Sequence, residues 1–256
     1  MYPARLGGRE TAPPLISIVV ACYNAAPTLA AAIESVAEQD RDDVELVIVD
    51  GASTDDTVAV IGRYADQIAW WTSERDTGIY DAWNKGLAAA RGRYIAFVGA
   101  DDILLPGALD AYARQIAATP DAEYISARVQ YGEGSNARII GRPWRWKRFR
   151  HYMTVAHVGS MHRRSLFDRL GSYDDSFKIT GDYEFLLRAG PELVTAFMPE
   201  VTARMGVDGI SSGRSDRVFL ETERAKHMHS GLPALQVIAD RWSALAKKRL
   251  RQLLLR

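Results

Sequence analysis

A chain of 256 residues with 47% hydrophobic side chains can bury a substantial core as one domain plus an appendage. Its 32 Lys and Arg balance 32 Asp and Glu, and a net charge of zero argues against a nucleic-acid-binding body. The single cysteine, Cys22, excludes a disulfide framework, residues 1–11 lack the apolar core of a signal peptide, and no stretch is apolar enough to span a bilayer, so a cytoplasmic protein is expected.

Residues 1–13 read as a lead-in. Leu15 to Cys22 is an apolar run of strand character, and it ends in Tyr23 and Asn24. Tyr23 can stack on a nucleobase, whereas Asn24 suits holding a loop. Ala26 to Glu38 carries Leu29, Ile33 and Val36 at helical spacing. Val44 to Asp50 is a second short strand, ending in a carboxylate. Ser53 or Thr54 can cap the helix that follows, through Val60 and Tyr64, so Asp50 is not needed for that cap. A carboxylate at a strand's carboxyl end, beside Gly51, suits recognition of a ribose or a base edge.

Ile68 to Ser73 reads as a short strand leading into the loop Glu74 to Gly78. In the next helix Ile79, Trp83 and Leu87 share one face, which makes Trp83 a core residue. Asp81 and Lys85 lie off that stripe, free for a site or paired at i,i+4. The apolar run Arg93 to Ala100 then delivers Asp101 and Asp102 to its carboxyl edge. Adjacent acids repel unless a cation or donors sit between them. A divalent metal carrying a diphosphate would meet that need; capping of the helix that Pro106 helps to start is the other role open to Asp102. Leu105 to Ala118 is a helix, Glu123 to Tyr131 a strand and residues 132–136 its turn. The first half is thus a mononucleotide-binding unit of βα repeats, although it has neither Gly-x-Gly-x-x-Gly nor a Walker loop.

The second half is less regular. Residues 143–150 alternate aromatic and basic side chains, so Trp144 and Trp146 stack on a sugar, lie against an anionic membrane surface, or belong to a half-buried strand with its basic residues outward. His157 precedes Gly159 and Ser160 and is a candidate to line the site. Asp182 stands before the apolar run Phe185 to Leu187, a position that suits an N-cap and leaves one carboxylate oxygen free. The glycine-rich stretch Val207 to Gly213 can close over a diphosphate or be a plain surface loop. From Phe219 the chain reads as helical with a break at Gly231 to Pro233. Leu235, Ile238, Trp242, Leu245 and Leu253 form an apolar stripe, followed by the cations Lys247, Lys248, Arg249 and Arg251. That stripe suits docking on the catalytic domain or a second subunit, or peripheral binding to an anionic membrane surface on its inner face.

Taken together, Ser17 to Asn24, Val49 to Thr57, Ser73 to Gly86, Gly99 to Asp102, His157 to Phe167 and Gly181 to Leu187 resemble the family 2 glycosyltransferases, inverting enzymes of the GT-A fold. The resemblance spans roughly residues 14–210 and is specific as a set. It implies a nucleoside-diphosphate sugar as donor and a divalent metal, Mn or Mg, as cofactor. By the resemblance, Asp50 reads the nucleoside, Asp102 holds the metal and Asp101 lies nearer the ribose. It also makes Asp182 the general base, in a segment where many relatives have Glu-Asp; here position 181 is Gly, so Glu184 is the residue left to take any role of the first acid. Arg75 stands where relatives often have Pro, as an extra cation for the diphosphate or an exposed side chain.

The expectation is an α/β protein with a GT-A, Rossmann-like mixed sheet flanked by helices. Residues 14–120 form the nucleotide-sugar half, 121–213 the acceptor half and 214–256 a helical tail. The expected reaction is glycosyl transfer to the hydroxyl of a glycan or lipid-linked glycan. Two rivals stand beside it. A nucleotidyltransferase would carry a glycine-rich basic loop after the first strand, and Cys22 to Ala26 is not one. A non-catalytic sugar-nucleotide-binding subunit would have no use for Asp182.

Overall fold

The computed structural model describes residues 12–132, 134, 137–206 and 216–254. Four strands, β1 (Ile16–Cys22), β2 (Val44–Asp50), β3 (Trp70–Ser73) and β4 (Tyr94–Gly99), make a parallel block in the order β3-β2-β1-β4. They are apolar without alternation because helices cover both faces. Ile16, Ile18 and Val20 enter one core with α1 (Leu29–Ala37), α2 (Thr57–Arg63) and α4 (Ala108–Ala118). Val19, Val47, Val49 and Phe97 enter the other with α3 (Ile79–Ala89). The register aligns the strand ends: Cys22 lies opposite Asp50, and Asp50 opposite Ser73.

Beyond β4 the sheet becomes mixed. β8 (Ser160–Arg163) runs antiparallel to β4 and to β6 (Tyr124–Tyr131), which also pairs with β7 (Arg138–Ile140). β9 (Thr195–Met205) runs parallel to β6, and the short β5 (Ile103–Leu104) closes the edge against it. The helices of this half are α5 (Trp146–Phe149), α6 (Arg164–Leu170) and α7 (Gly181–Ala189), followed by α8 (Arg217–His229) and α9 (Ala234–Leu254). This is the α/β architecture expected, a mixed sheet between helices with a helical C-terminal part.

Several local expectations change. α4 starts at Ala108 because Ile103 and Leu104 are drawn into pairing with β9. Neither Ser53 nor Thr54 caps α2, which begins at Thr57 with its amide on Asp55 Oδ1 at 3.0 Å. Residues 143–150 are not a strand: residues 146–149 form a helical turn, with Trp144 and Trp146 half-buried and Trp144 stacked on Phe149 at 4.1 Å. Arg145, Lys147 and Arg148 do face outward.

The tail departs most. α9 docks on the body by its polar side: Asp240 takes Lys226 of α8 at 3.0 Å and His151 at 2.9 Å, and Arg241 takes Glu223 at 2.6 Å. Val237 is buried there. Of the apolar stripe, Leu235, Ile238 and Trp242 point into solvent rather than onto the body, with Leu235 82% and Trp242 58% exposed, while Leu245 is half-buried; Leu250, outside the stripe, is also in solvent. No helix among the described residues is long and apolar enough to cross a membrane. The stretch 207–213 and the boundary set at residue 213 lie outside the described residues.

Candidate active site

The aligned strand ends build one side of the site. Asp50 is fully buried, and its carboxylate accepts the Ser53 amide at 3.0 Å, the Ser53 hydroxyl and the Ser73 hydroxyl at 2.6 Å. Those bonds shape the turn after β2. Asn24, at φ 48°, fixes the neighbouring loop, since its Oδ1 accepts the Thr54 amide at 2.9 Å. Tyr23 stands beside Asp50 with its ring exposed. Gly51 keeps the space open: a Cβ there would fall 2.5 Å from Asp76 Oδ2 and 3.5 Å from the Tyr23 ring. Asp76 was not singled out from the sequence, yet it faces this strand end, and burial raises its carboxyl above the ordinary range. A glycine following a strand-end acid was the available signal.

The loop before α3 arranges its own charges. Asp81 accepts the Thr77 amide at 2.9 Å and lies 3.7 Å from Lys85, whose Nζ also reaches Glu74 at 3.2 Å and the Arg75 carbonyl at 2.8 Å. The i,i+4 pair therefore exists, and Lys85 braces the loop. Arg75 is exposed, with no ion-pair partner among the described residues.

Asp102 caps no helix; the residue before α4 is Gly107. Instead its carboxylate accepts the Gly99 amide at 2.8 Å and the Gly206 amide at 2.9 Å, tying the end of β4 to the end of β9. Burial, with Asp101 adding to it, pushes Asp102 up to about 6 despite those amides. Asp101 packs against Gly206, where a Cβ would fall 2.0 Å from its Oδ2. Among the described residues no three His, Cys, Asp or Glu side chains converge to hold an ion alone. The residues nevertheless suit a divalent cation that brings its own diphosphate oxygens and water, as Mg often does. Each Asp102 oxygen still has a free lone pair, and a cation would relieve the burial of its charge.

Asp182 lies in the first turn of α7 rather than at its N-cap, which is Thr180, and meets the donor-side helix α3 through the Tyr80 hydroxyl at 3.1 Å. Its side chain is 20% exposed. Burial raises the carboxyl to about 6, against the pull of the Tyr183 amide and the Tyr80 hydroxyl. His157 Nδ1 stands 4.0 Å from Asp182 Oδ2. Burial among Trp83, Phe97 and His162 lowers His157 to about 3, so the ring is neutral at working pH. His157 thus lies beside Asp182. Glu184 does not. It is buried on the opposite side of α7, 2.8 Å from Arg188 and 2.8 Å from His229 of α8, and holds the two helices together. Trp83 is core, as its spacing foretold. Cys22 is a buried thiol, pushed up by burial and by Asp50.

A parallel block that turns into a mixed sheet, with acids at its strand ends, is the arrangement of the GT-A fold. The model of "Glycosyl transferase family 2" matches residues 17–171. A "PGL/p-HBAD biosynthesis glycosyltransferase" of Mycobacterium bovis is 31% identical over 245 residues, spanning 90% of this chain and 92% of that one. An uncharacterized glycosyltransferase, YwdF of Bacillus subtilis, is 30% identical over 184 residues, 69% of this chain and 68% of its own. Among solved structures, S. aureus TarS 1-349 in complex with UDP-GlcNAc superposes with a TM-score of 0.68 at 18% identity, covering 87% of this chain and 69% of that one. The mannosyltransferase PcManGT of Pyrobaculum calidifontis, in complex with GDP-Man and Mn2+, gives 0.61 at 19% identity over 95% and 81%. The chain belongs to glycosyl transferase family 2, and it is a glycosyltransferase.

Proposed function

We propose that this glycosyltransferase moves a monosaccharide from a nucleoside-diphosphate sugar to an acceptor hydroxyl by a single inverting displacement. In this reading Tyr23, Asp50 and Asp76 hold the nucleoside, and Asp101 lies near its ribose. Arg75 and Lys85, with Asp81 fixing the loop, border the diphosphate. Asp102 would hold a divalent cation, with Asp101 beside it, and such a cation supplies charge neutralisation for the departing diphosphate. Asp182 takes the proton of the acceptor hydroxyl as that oxygen attacks the anomeric carbon from the face opposite the diphosphate.

Asp182 is the observation that carries the reading. A carboxylate raised to about 6 is charged at neutral pH yet basic enough to accept a proton in the transition state. A pure binding subunit has no need of such a group. For the acceptor we infer a glycan or lipid-linked glycan. Two things support this: a relative named for PGL/p-HBAD biosynthesis, and an outward face of α9 that suits an anionic membrane surface. We also assign residues 14–120 to the donor half, 121–213 to the acceptor half and 214–256 to the tail.

A panel of nucleotide sugars, with and without Mn, tests the reading by donor hydrolysis. One donor should be consumed only with metal. Asp182→Asn should leave nucleoside diphosphate affinity nearly intact while turnover falls by about two to four orders of magnitude. Full turnover by that variant would overturn the base assignment.

A further inference from the structure

Position 181, where an acid was expected beside the base, is glycine for a reason visible in the packing. A Cβ on Gly181 would fall 2.9 Å from the ring of Tyr80, so the ring occupies the space that a side chain would take. Tyr80 is buried, wedged edge-on against Trp83 at 5.4 Å and against Tyr173 at 5.6 Å. From there its hydroxyl reaches Asp182 Oδ1 at 3.1 Å, across 102 positions of sequence. Tyr80 also belongs to the first turn of α3, directly after the donor loop that carries Asp76 and Gly78.

We propose that Tyr80 is a positioning residue whose hydroxyl fixes Asp182 through Oδ1, leaves Oδ2 to take the acceptor proton, and ties the base to the helix that follows the donor loop. The proposal rests on Asp182 being the base. The acceptor O–H proton passes to Oδ2, the new glycosidic bond forms, and the bond to the diphosphate breaks with its electron pair leaving on the diphosphate. Tyr80 keeps its own proton throughout, because burial and the nearby Asp182 hold the phenol well above its ordinary range. Oδ2 faces His157, which is neutral and does not compete for the proton.

The groups around Asp182 are few. They are Tyr80 from α3, His157 from the segment before β8, and more distantly Tyr173 before α7 and Tyr124 of β6. Of these, Tyr80 is the side chain that donates a hydrogen bond to the carboxylate and so favours its charged form. Removing that hydroxyl has a directional consequence. The wild-type kcat should fall as pH drops through about 6, where Asp182 gains its proton, and in the variant this acid limb should move to higher pH.

Tyr80→Phe keeps the ring and removes the hydroxyl. Using the donor that the panel identifies, kcat for hydrolysis should fall about ten-fold. Nucleoside diphosphate affinity by calorimetry should stay unchanged, and the acid limb should move upward. Gly181→Ala retains the hydroxyl but pushes the ring aside, so it should reproduce the loss of kcat. The double variant should be no worse than the worse single, because both act on one hydrogen bond. Wild-type kcat and acid limb in Tyr80→Phe, or wild-type kcat in a stable Gly181→Ala, would overturn the proposal. Asp182→Asn run alongside separates the two ideas. If it too retains turnover, the base assignment has failed; if it is inactive while Tyr80→Phe is normal, only the role of Tyr80 has failed.

Discussion

Two aspartates of the donor edge show how one residue type is given different work by its surroundings. Asp50 accepts from the Ser53 amide and hydroxyl, the Ser73 hydroxyl and, more weakly, the Cys22 thiol, so its oxygens are partnered before any ligand arrives. Asp102 has two amides but sits beside Asp101 under nearly complete burial, so its charge is costly, and a cation would relieve that cost. Asp50→Ala should therefore weaken nucleoside diphosphate binding by about 1.5–3 kcal/mol, read by calorimetry, partly because the turn at Ser53 loses its anchor. Asp102→Asn should abolish metal-dependent turnover and also the rise in melting temperature that Mn gives with nucleoside diphosphate, since ligand bound to the native state stabilises it. Equal thermal shifts in wild type and variant would remove Asp102 from the cation site.

At the scale of elements, α8 proves to be part of the site's support. Glu221 accepts the amides of Lys178 at 3.0 Å, Ile179 at 2.8 Å and Thr180 at 3.1 Å, the residues that lead into the helix of Asp182. Burial opposes the charge, but these amides and Arg217 outweigh it and hold Glu221 below the usual carboxylate range. Lys178 in turn reaches the Thr77 carbonyl of the donor loop at 2.6 Å. Glu221→Ala orphans three amides and should cost about 1–3 kcal/mol in urea unfolding, with kcat falling as α7 loosens. Unaltered unfolding and kcat would show the clamp to be idle. None of this was legible in the sequence, because Glu221 is one acid among several on a charged helix and its partners lie 41–43 positions away. The donor half was legible for the opposite reason. β1, β2 and β4 are contiguous apolar runs, each followed or ended by polar side chains, as Val44 to Asp50 is, so order along the chain and order along the sheet edge coincide. Tyr80 and Asp76 escaped notice because a phenol on a helix and an acid in a loop gain their meaning only from the glycines, 181 and 51, packed against them. The stripe on α9 was legible as a pattern but not its direction: of the roles open to it, docking on the catalytic domain falls to ion pairs rather than apolar contacts.

That arrangement sets the character of the whole molecule. A 21-residue helix is fastened to the body by Asp240 and Arg241 and leaves Leu235, Ile238, Trp242 and Leu250 in solvent. Asp240 is the only acid in α9 and it is engaged, while Lys247 and Arg249 are exposed. His151 joins the same Asp240, which sets the exposed Arg145, Lys147 and Arg148 around α5 near this helix. An apolar face edged by cations with no free acid on its helix suits an anionic lipid surface better than a second copy, which would bring the same charges. The intact protein should sediment with phosphatidylserine-containing vesicles at low salt and be released by high salt, because each basic residue near the surface adds about 1 kcal/mol that screening removes. Leu235→Ser with Trp242→Ser should weaken sedimentation while leaving nucleoside diphosphate affinity unchanged, since Leu235 is 82% exposed and Trp242, 58% exposed, touches only the Arg241 guanidinium of its own helix at 5.2 Å among the ring contacts of the described residues. Deletion of residues 243–256 should release the protein from vesicles without loss of nucleotide binding. Two results would make the face a contact between subunits instead: indifference of the intact protein to such vesicles, and a serine variant that shifts from dimer to monomer in sedimentation velocity.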